Sequence, residues 1–203
     1  MKNSFVEAKT LDKTKQKIMN ATMSLVKDKG YVATTTKDIA NLAQVNECTI
    51  FRKFKTKKDI VLCAMKEKEN YPNVTPDIFS NVTWELKTDL QMFMERYLER
   101  VTSDFVRLSI GLRAPQIYEE TASMIIKIPE VFINSLTEYL KKMCEKGKIK
   151  KTDFKCLALT IFSATFGFTF LKASFQDKLS KIKQQEYIKK SVELFVNGIQ
   201  IRN

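Results

Sequence analysis

Basic residues cluster in one short stretch of the chain, residues 46–60, with the sequence NECTIFRKFKTKKDI. Its basic members are Arg52, Lys53, Lys55, Lys57 and Lys58. An arginine guanidinium can donate two parallel hydrogen bonds to a guanine edge or a phosphate, and a lysine ammonium binds phosphate as a compact charge. These residue types favour contact with a polyanion, although a basic stretch is also typical of a plain solvated helix face.

The net charge of the whole chain points the same way. The 203 residues include 35 Lys and Arg against 23 Asp and Glu, which gives a formal net charge of +12. Residues 1–70 hold 15 basic and 8 acidic residues, so about a third of the chain carries more than half of the excess. Such an excess indicates a nucleic acid or an anionic membrane surface as the partner.

The residue types that are missing argue against most hydrolases. Histidine is absent, which removes Ser-His and Cys-His nucleophile pairs and every histidine metal site. The four cysteines form no C-x-x-C pair, so we expect reduced thiols without a zinc site or a disulfide framework. We therefore predict no catalytic residue, no metal and no cofactor.

Nothing in the sequence favours a membrane protein. The amino terminus lacks the apolar core of a secretory signal. The longest uncharged run, Cys156–Leu171, has sixteen residues, which is shorter than the roughly 20 that a spanning helix needs. We expect a buried helix there, covered on most sides, and a cytoplasmic protein without a membrane partner.

Apolar spacing by three and four residues, with only five glycines and four prolines, predicts an all-α fold. The first helix is expected from about Asp12 to Lys29, with Gly30 as its stop. Two short helices follow, one starting at the Thr35-Thr36 caps and one at Asn46. Two short helices joined by a tight turn are typical of a helix-turn-helix DNA-binding unit, whose second helix enters the major groove.

Helical spacing sorts the second short helix into two faces. Val45, Ile50 and Phe54 are predicted to face the core, which leaves the other side chains toward the groove. There Arg52 can contact guanine, Thr49 can contact a thymine methyl, and Glu47 can accept from cytosine. Lys55, Lys57 and Lys58 are better suited to phosphates; on this hypothesis Lys57→Ala weakens binding to all sequences and flattens the salt dependence.

Residues 15–61 also resemble the DNA-binding unit of the TetR-like (tetracycline-repressor-like) transcriptional regulators. The matching positions include Ile18, Ala21, Leu25, Gly30-Tyr31, Thr35-Thr36, Asp38-Ile39-Ala40, Ala43, Val45, Thr49-Ile50-Phe51, Phe54, Lys57 and Asp59-Ile60. The resemblance implies a dimer that binds a palindromic operator through a helix in the major groove, and a carboxy-terminal bundle in which a small ligand weakens DNA affinity. It implies an amino-terminal three-helix helix-turn-helix domain, 1–56 with 1–11 as a flexible tail, and a ligand-binding and dimerisation domain, 57–203, with about nine helices in total.

This chain departs from the family pattern at three positions. Gln44 replaces the turn glycine, Cys48 replaces a second glycine, and Phe51 replaces a phosphate-contacting tyrosine. A positive φ at Gln44 would strain the turn, and Phe51 lacks the hydroxyl. The predicted DNA-binding residues are Thr35, Thr36, Lys37, Asn46, Glu47, Cys48, Thr49, Phe51, Arg52, Lys53 and Lys57.

The bundle is rich in aromatic residues and methionine, which either line an apolar cavity or fill a core. For an apolar or amphipathic ligand the candidate residues are Phe93, Met94, Tyr97, Phe105, Tyr118, Phe132, Phe162 and Phe166. For a homodimer interface on the last two helices they are Phe162, Phe166, Phe170, Ile188, Val192, Phe195 and Ile199. A DNA-organising or partner-binding protein without a ligand is the alternative; an enzyme or membrane-surface protein would need features that we do not find.

Overall fold

The structure, a computed structural model, describes residues 2–67 and 74–199, with side chains from Lys13 onward. Within these ranges the regular elements are helices, which confirms the predicted all-α class. The α-helices are α1 (Lys2–Ala33), α2 (Thr36–Ala43), α3 (Glu47–Lys53), α4 (Lys57–Ala64), α5 (Leu86–Arg100), α6 (Ser103–Gly111), α7 (Tyr118–Ile125), α8 (Lys127–Glu145), α9 (Phe154–Phe175) and α10 (Gln184–Ile199). Two short 3₁₀ helices cover Pro76–Phe79 and Gln176–Lys178.

The first helix starts earlier than its apolar pattern predicts. Its backbone is helical from Lys2 rather than from about Asp12. Gly30 breaks the helical path with φ 81° and ψ 163°, a conformation that favours glycine. The stop predicted at Gly30 is therefore a sharp kink, after which the chain turns into α2.

The helices divide into two compact units. The first unit contains Met1–Tyr71 and Arg107–Ile125, and the second contains Pro72–Val106 and Ile126–Asn203. The division shows that α7 and the end of α6 pack with the amino-terminal helices. The predicted division into a DNA-binding domain, 1–56, and a ligand-binding and dimerisation domain, 57–203, stays a prediction.

One hydrophobic core holds the first unit together. Its most buried members come from four helices, α1 to α4, and from the segment between α6 and α7: Ile18, Val26, Ile39, Ile50, Ile60, Leu112 and Ile117. Gly111, at the end of α6, lies close against α1, since a β-carbon added there would lie 2.4 Å from the carbonyl oxygen of Val26. Only a residue without a side chain fits between these two backbones.

Aromatic rings fill the centre of the second unit. Phe93 and Tyr97 of α5 meet Phe132 of α8 and Phe162 of α9, with ring centres 4.9 Å apart for Tyr97 and Phe132 and 5.7 Å for Tyr97 and Phe162. Below these rings, Asp89 is fully buried and accepts hydrogen bonds from the Thr83 backbone and hydroxyl and from the Tyr139 hydroxyl. A buried carboxylate with several donors is a satisfied polar group that fixes the packing of α5 on α8.

The apolar helix α9 is only partly covered within one protomer. The segment Phe154–Lys178 is long and apolar enough by length and composition to cross a membrane, a test that core helices of globular proteins also meet, and 28% of its most apolar window is buried. The sequence predicts a helix covered on most sides, whereas Leu159, Phe170, Leu171 and Phe175 remain exposed. A stripe of exposed apolar residues on a helix is typical of a surface that binds another protein chain.

Candidate DNA-binding surface

The α2–turn–α3 segment has helix-turn-helix geometry, and Gln44 is the C-cap residue of α2 at the start of the turn. Gln44 has φ 55° and ψ 48°, the left-handed conformation that the replacement of the family's turn glycine makes unfavourable. The turn is closed by hydrogen bonds from the Gln44 amide to the Asn41 carbonyl, 3.2 Å, and from the Val45 amide to the Ala40 carbonyl, 3.0 Å. A glutamine in this conformation costs about 1 kcal/mol relative to its preferred backbone region.

The two faces of α3 agree with the predicted spacing. Ile50 and Phe54 are buried in the core of the first unit, and Val45 is half-buried. Cys48, Phe51 and Arg52 are exposed on the opposite side. Asn46 occupies the N-cap position without a side-chain capping hydrogen bond, so its amide is available to a base edge or a phosphate. This face places polar and apolar contact groups side by side.

Two of the threonines predicted to bind DNA have structural partners. Thr35 caps α2 in a reciprocal capping box with Asp38. Hydrogen bonds from Lys29, and then from Thr35, hold the pKa of Asp38 well below its usual value, so this cap stays ionised. The Thr36 hydroxyl donates to the Glu47 carboxylate. This contact connects the starts of α2 and α3, and it occupies the carboxylate that we expected to accept from cytosine.

Two of the lysines in the basic stretch have partners within the protein. The Lys57 ammonium donates to the carbonyls of Tyr31, 2.6 Å, and Thr34, 2.5 Å, and lies 4.1 Å from the centre of the Tyr31 ring. Desolvation, and secondarily the charge of Lys29, lowers the pKa of Lys57. Lys58 pairs with Glu120 of α7 at 2.7 Å. The predicted phosphate contact of Lys57 would require it to leave the carbonyls at the end of α1.

The remaining basic residues form a positive cluster toward solvent. Lys37, Arg52 and Lys55 are exposed, and each has no hydrogen-bond or ion-pair partner in the described part of the chain. Desolvation, followed by the charges of Arg52 and Lys15, lowers the pKa of the half-buried Lys53. A phosphate placed among these groups would relieve their mutual repulsion.

Lys15 of α1 belongs to this cluster, although the sequence analysis did not select it. Its ammonium lies 6.0 Å from the centre of the Phe54 ring, near the end of α3. The run Lys13, Lys15, Lys17 before the apolar face of α1 was a signal for it. The sequence could not place that run beside α3, because the contact joins residues almost 40 positions apart.

The residues predicted to line a ligand cavity do not share one environment. Phe93, Met94, Tyr97 and Phe132 are fully buried, and Phe162 packs on them in the aromatic core. Phe105 is half-buried, and Tyr118 is exposed in the first unit. Phe166 stacks outward on Phe162 at 5.8 Å. Their role as a ligand site stays a prediction, and the packing of the first five favours a core.

The residues predicted for the dimer interface also divide. Ile188 and Val192 are 1% exposed, because the stripe they form on α10 packs on the chain's own α5. Phe195 and Ile199 are half-buried. Phe166 and Phe170 continue a ladder of rings from Phe162 to the surface. The apolar face that α10 leaves open is marked instead by Leu194, which is 74% exposed.

The described residues hold no cluster of three or more His, Cys, Asp or Glu that could bind a metal.

Comparisons with known proteins agree with the helix-turn-helix geometry. Residues 18–63 match the family model described as bacterial regulatory proteins, tetR family. Over 186 residues the chain is 31% identical to an uncharacterized HTH-type transcriptional regulator, YvkB of Bacillus subtilis (strain 168), covering 92% of this chain and 97% of YvkB.

Two further proteins are similar over most of the chain. One is IcaR of Staphylococcus aureus (strain Newman), the biofilm operon icaADBC HTH-type negative transcriptional regulator, with 25% identity over 85% of this chain and 90% of IcaR. The other is the solved structure of the fatty acid degradation regulator FadR from Bacillus halodurans, with a TM-score of 0.66 and 18% identity over 93% of this chain and 97% of FadR. The resemblance drawn from the motifs is confirmed: the chain belongs to the tetR family of bacterial regulatory proteins and is a transcriptional regulator, not an enzyme.

Proposed function

We propose that this regulator is a homodimeric, cytoplasmic repressor that binds a palindromic operator in double-stranded DNA and is released from it by a small-molecule effector. Repression is supported by the similarity to IcaR, a negative regulator by its name. The observation that carries the proposal is the solvent face of α3, where Asn46, Phe51 and Arg52 are exposed and Arg52 has no hydrogen-bond or ion-pair partner among the described residues.

The side chains of this face suit different parts of a DNA duplex. Arg52 donates to the O6 and N7 of a guanine, Asn46 and Thr49 donate to or accept from base edges, and Cys48 and Phe51 contact thymine methyl groups. Lys37 and Lys53 bind the flanking phosphates. Thr35, Thr36, Glu47 and Lys57 position α2 and α3 through their contacts within the protein.

The dimer forms through the exposed apolar face of α9 and α10. Leu159 and Phe170 on α9 and Leu194 on α10 leave water when a second copy covers them. An operator with two matching half-sites requires the two α3 helices of the dimer to lie one DNA turn apart, about 35 Å. Leu194→Glu dissociates this dimer in sedimentation velocity without unfolding the chain, whereas Ile126→Glu, also at an exposed position, does not.

Fluorescence anisotropy tests DNA binding with a labelled duplex from the region upstream of the protein's own gene and a scrambled duplex of equal length. The wild type binds the first duplex preferentially, and Arg52→Ala loses about tenfold or more of that preference, since one bidentate base contact contributes about 1–3 kcal/mol. Lys87→Ala, at an exposed position on α5, leaves it unchanged. Equal and salt-sensitive binding of both duplexes at all concentrations would contradict the proposal and favour a DNA-organising protein.

A further inference from the structure

A cleft of about 610 Å³ lies in the second unit, where the end of α5 and the start of α6 face the second half of α9 and the loop before α10. We call it the basic cleft. Its volume is within the range of about 300–1,000 Å³ that is typical of small-molecule sites. None of the residues predicted from the sequence to bind an effector or to form the dimer lines it.

The basic cleft carries an excess of positive charge. It is lined by Lys172, Lys181 and Lys183 and by one carboxylate, Asp177. Lys172 donates to Asp177 at 2.5 Å and to the Ser180 carbonyl at 3.1 Å. The hydrogen bond from Lys172 lowers the pKa of Asp177, so this pair stays ionised and satisfied.

The other two lysines have no such partner. Among the described residues, neither Lys181 nor Lys183 has a hydrogen bond or an ion pair to its ammonium group. Asp177 is bonded to Lys172 and also interacts with the charge of Lys181, so this one carboxylate offsets only part of the positive charge of the three lysines. Two ammonium groups therefore remain available to an anion in the cleft.

Two helices also have their amino termini at the basic cleft. α6 begins at Ser103 and α10 begins at Gln184, and both residues line the cleft together with the preceding residues Thr102 and Lys183. Amide groups at a helix amino terminus and the helix dipole both favour a negative charge. The partial positive charges of two helix amino termini therefore add to the charges of the lysines in the same cleft.

Thr169 provides an independent sign of a missing ligand group. This residue lines the basic cleft and is 5% exposed, and its buried Oγ1 has no hydrogen-bond partner in the part of the chain that the structure describes. A buried hydroxyl without a partner costs free energy, which an accepting oxygen would recover. On the same helix, Thr165 is buried too, but its hydroxyl donates to the Ile161 carbonyl at 2.7 Å.

The remaining walls of the basic cleft are apolar and include Leu98, Val101 and Phe168. We propose that the basic cleft binds a small organic anion, a carboxylate that carries an apolar chain, as the effector of this regulator. The carboxylate lies between Lys181 and Lys183, and the chain packs on the apolar wall. Rotation of the Thr169 side chain lets its buried hydroxyl donate to the ligand. The word effector rests on the proposed function, whereas the binding itself does not.

Isothermal titration calorimetry of the full-length protein without DNA tests this assignment with octanoate, 1-octanol and inorganic phosphate. Octanoate binds at least tenfold more tightly than octanol, which has the same chain without the charge, and than phosphate, which has charge without the chain. The double variant Lys181→Ala/Lys183→Ala binds octanoate about tenfold or more weakly, because two charge-assisted contacts are lost. Thr169→Val, which removes the hydroxyl and keeps the shape, binds about threefold more weakly.

The matched control is Lys150→Ala/Lys151→Ala, two exposed lysines in the loop before α9 that do not line the cleft. It binds octanoate like the wild type. Wild-type affinity of the Lys181/Lys183 variant, equal affinity for octanol, or equal affinity for inorganic phosphate would each overturn the proposal. Circular dichroism confirms that the variants are folded.

A second measurement separates this proposal from the proposed function. Anisotropy of the labelled upstream duplex is recorded with and without octanoate for the wild type and for the Lys181/Lys183 variant. Octanoate releases the wild type but not the variant. If the protein binds no duplex while calorimetry shows cleft-dependent octanoate binding, the proposed function fails and the ligand site stands. If DNA binding is selective and octanoate does not bind, the cleft assignment fails alone.

Discussion

The two units of this protein differ in how far apart in the sequence their organising contacts lie. In the first unit, Thr35 with Asp38 and Thr56 with Asp59 form capping boxes between residues three positions apart. In the second unit, Tyr97 and Phe132 meet across 35 positions, and Phe132 meets Phe162 across 30. A local pattern therefore predicts the positions of α2 to α4, whereas only the folded chain shows which aromatic rings face one another.

Phe132→Ala tests the second unit most severely. Phe132 is fully buried and its ring contacts those of Phe79, Tyr97 and Phe162. If it fills a core, the variant loses about 3–5 kcal/mol of unfolding free energy in urea denaturation. Phe51→Ala, which truncates an exposed ring on α3, loses about 0.5 kcal/mol or less. A loss below about 1 kcal/mol for Phe132→Ala would mean that its ring borders empty space, and the predicted ligand cavity would regain support.

Gly111→Ala tests a contact that joins two distant segments within the first unit. The added methyl group meets the Val26 carbonyl oxygen at 2.4 Å, so α6 or α1 must shift. We expect a loss of about 1–3 kcal/mol of stability, as for other overpacked cores. The matched control is Gly167→Ala on α9, where the new methyl meets nothing within 4 Å. That change raises helix propensity and stabilises the protein by about 1 kcal/mol or less; equal effects of the two changes would contradict the close approach.

The sequence predicted the helices and the exposed face of α3 because both depend on local spacing. Ile50 and Phe54 had to face inward once α3 was assigned, which left Arg52 outward. It could not predict that Gly111 touches α1, since nothing around Gly111 differs from an ordinary helix end. Ile188 and Val192 were predicted to lie in a subunit interface, and both are buried within one protomer. Helical periodicity predicts that a stripe of residues is buried, but not whether the same chain or a second copy covers it.

The sequence alone also did not show which basic residues bind DNA and which have partners within the protein. Five basic residues between Arg52 and Lys58 were expected to contact DNA together, yet Lys57 and Lys58 have partners within the first unit. Conversely, Lys15 joins the exposed cluster from another helix. The basic cleft could not be predicted, because Lys181 and Lys183 lie in the loop before α10 and only the folded chain brings them opposite Lys172 of α9 and the end of α5. Net charge gave the class of partner, and tertiary structure gave the residues.

Lys57→Met sharpens this division between charges that hold the fold and charges that bind DNA. The change keeps the apolar stem but removes the donors to the Tyr31 and Thr34 carbonyls. We expect a loss of about 1–2 kcal/mol of unfolding free energy, since Lys57 is only half-buried. The slope of log affinity against log salt concentration stays unchanged. Lys55→Met, at an exposed position, has the opposite result: stability is unchanged and the slope flattens by about one. A flattened slope for Lys57→Met would restore its predicted role as a phosphate contact.

Gln44→Gly has the smallest expected effect and tests whether the first unit is strained where it departs from its family. Gln44 holds φ 55° at the turn, and glycine adopts this conformation without a steric cost. Glycine also gives the unfolded chain more freedom, which opposes the gain. The net result is a stabilisation of about 0.5 kcal/mol and at most about 1 kcal/mol, measured by urea denaturation. Gln44→Ala removes the same side chain without relieving the backbone and brings no gain. If alanine and glycine stabilise equally, the glutamine side chain rather than the backbone is the unfavourable element of the turn.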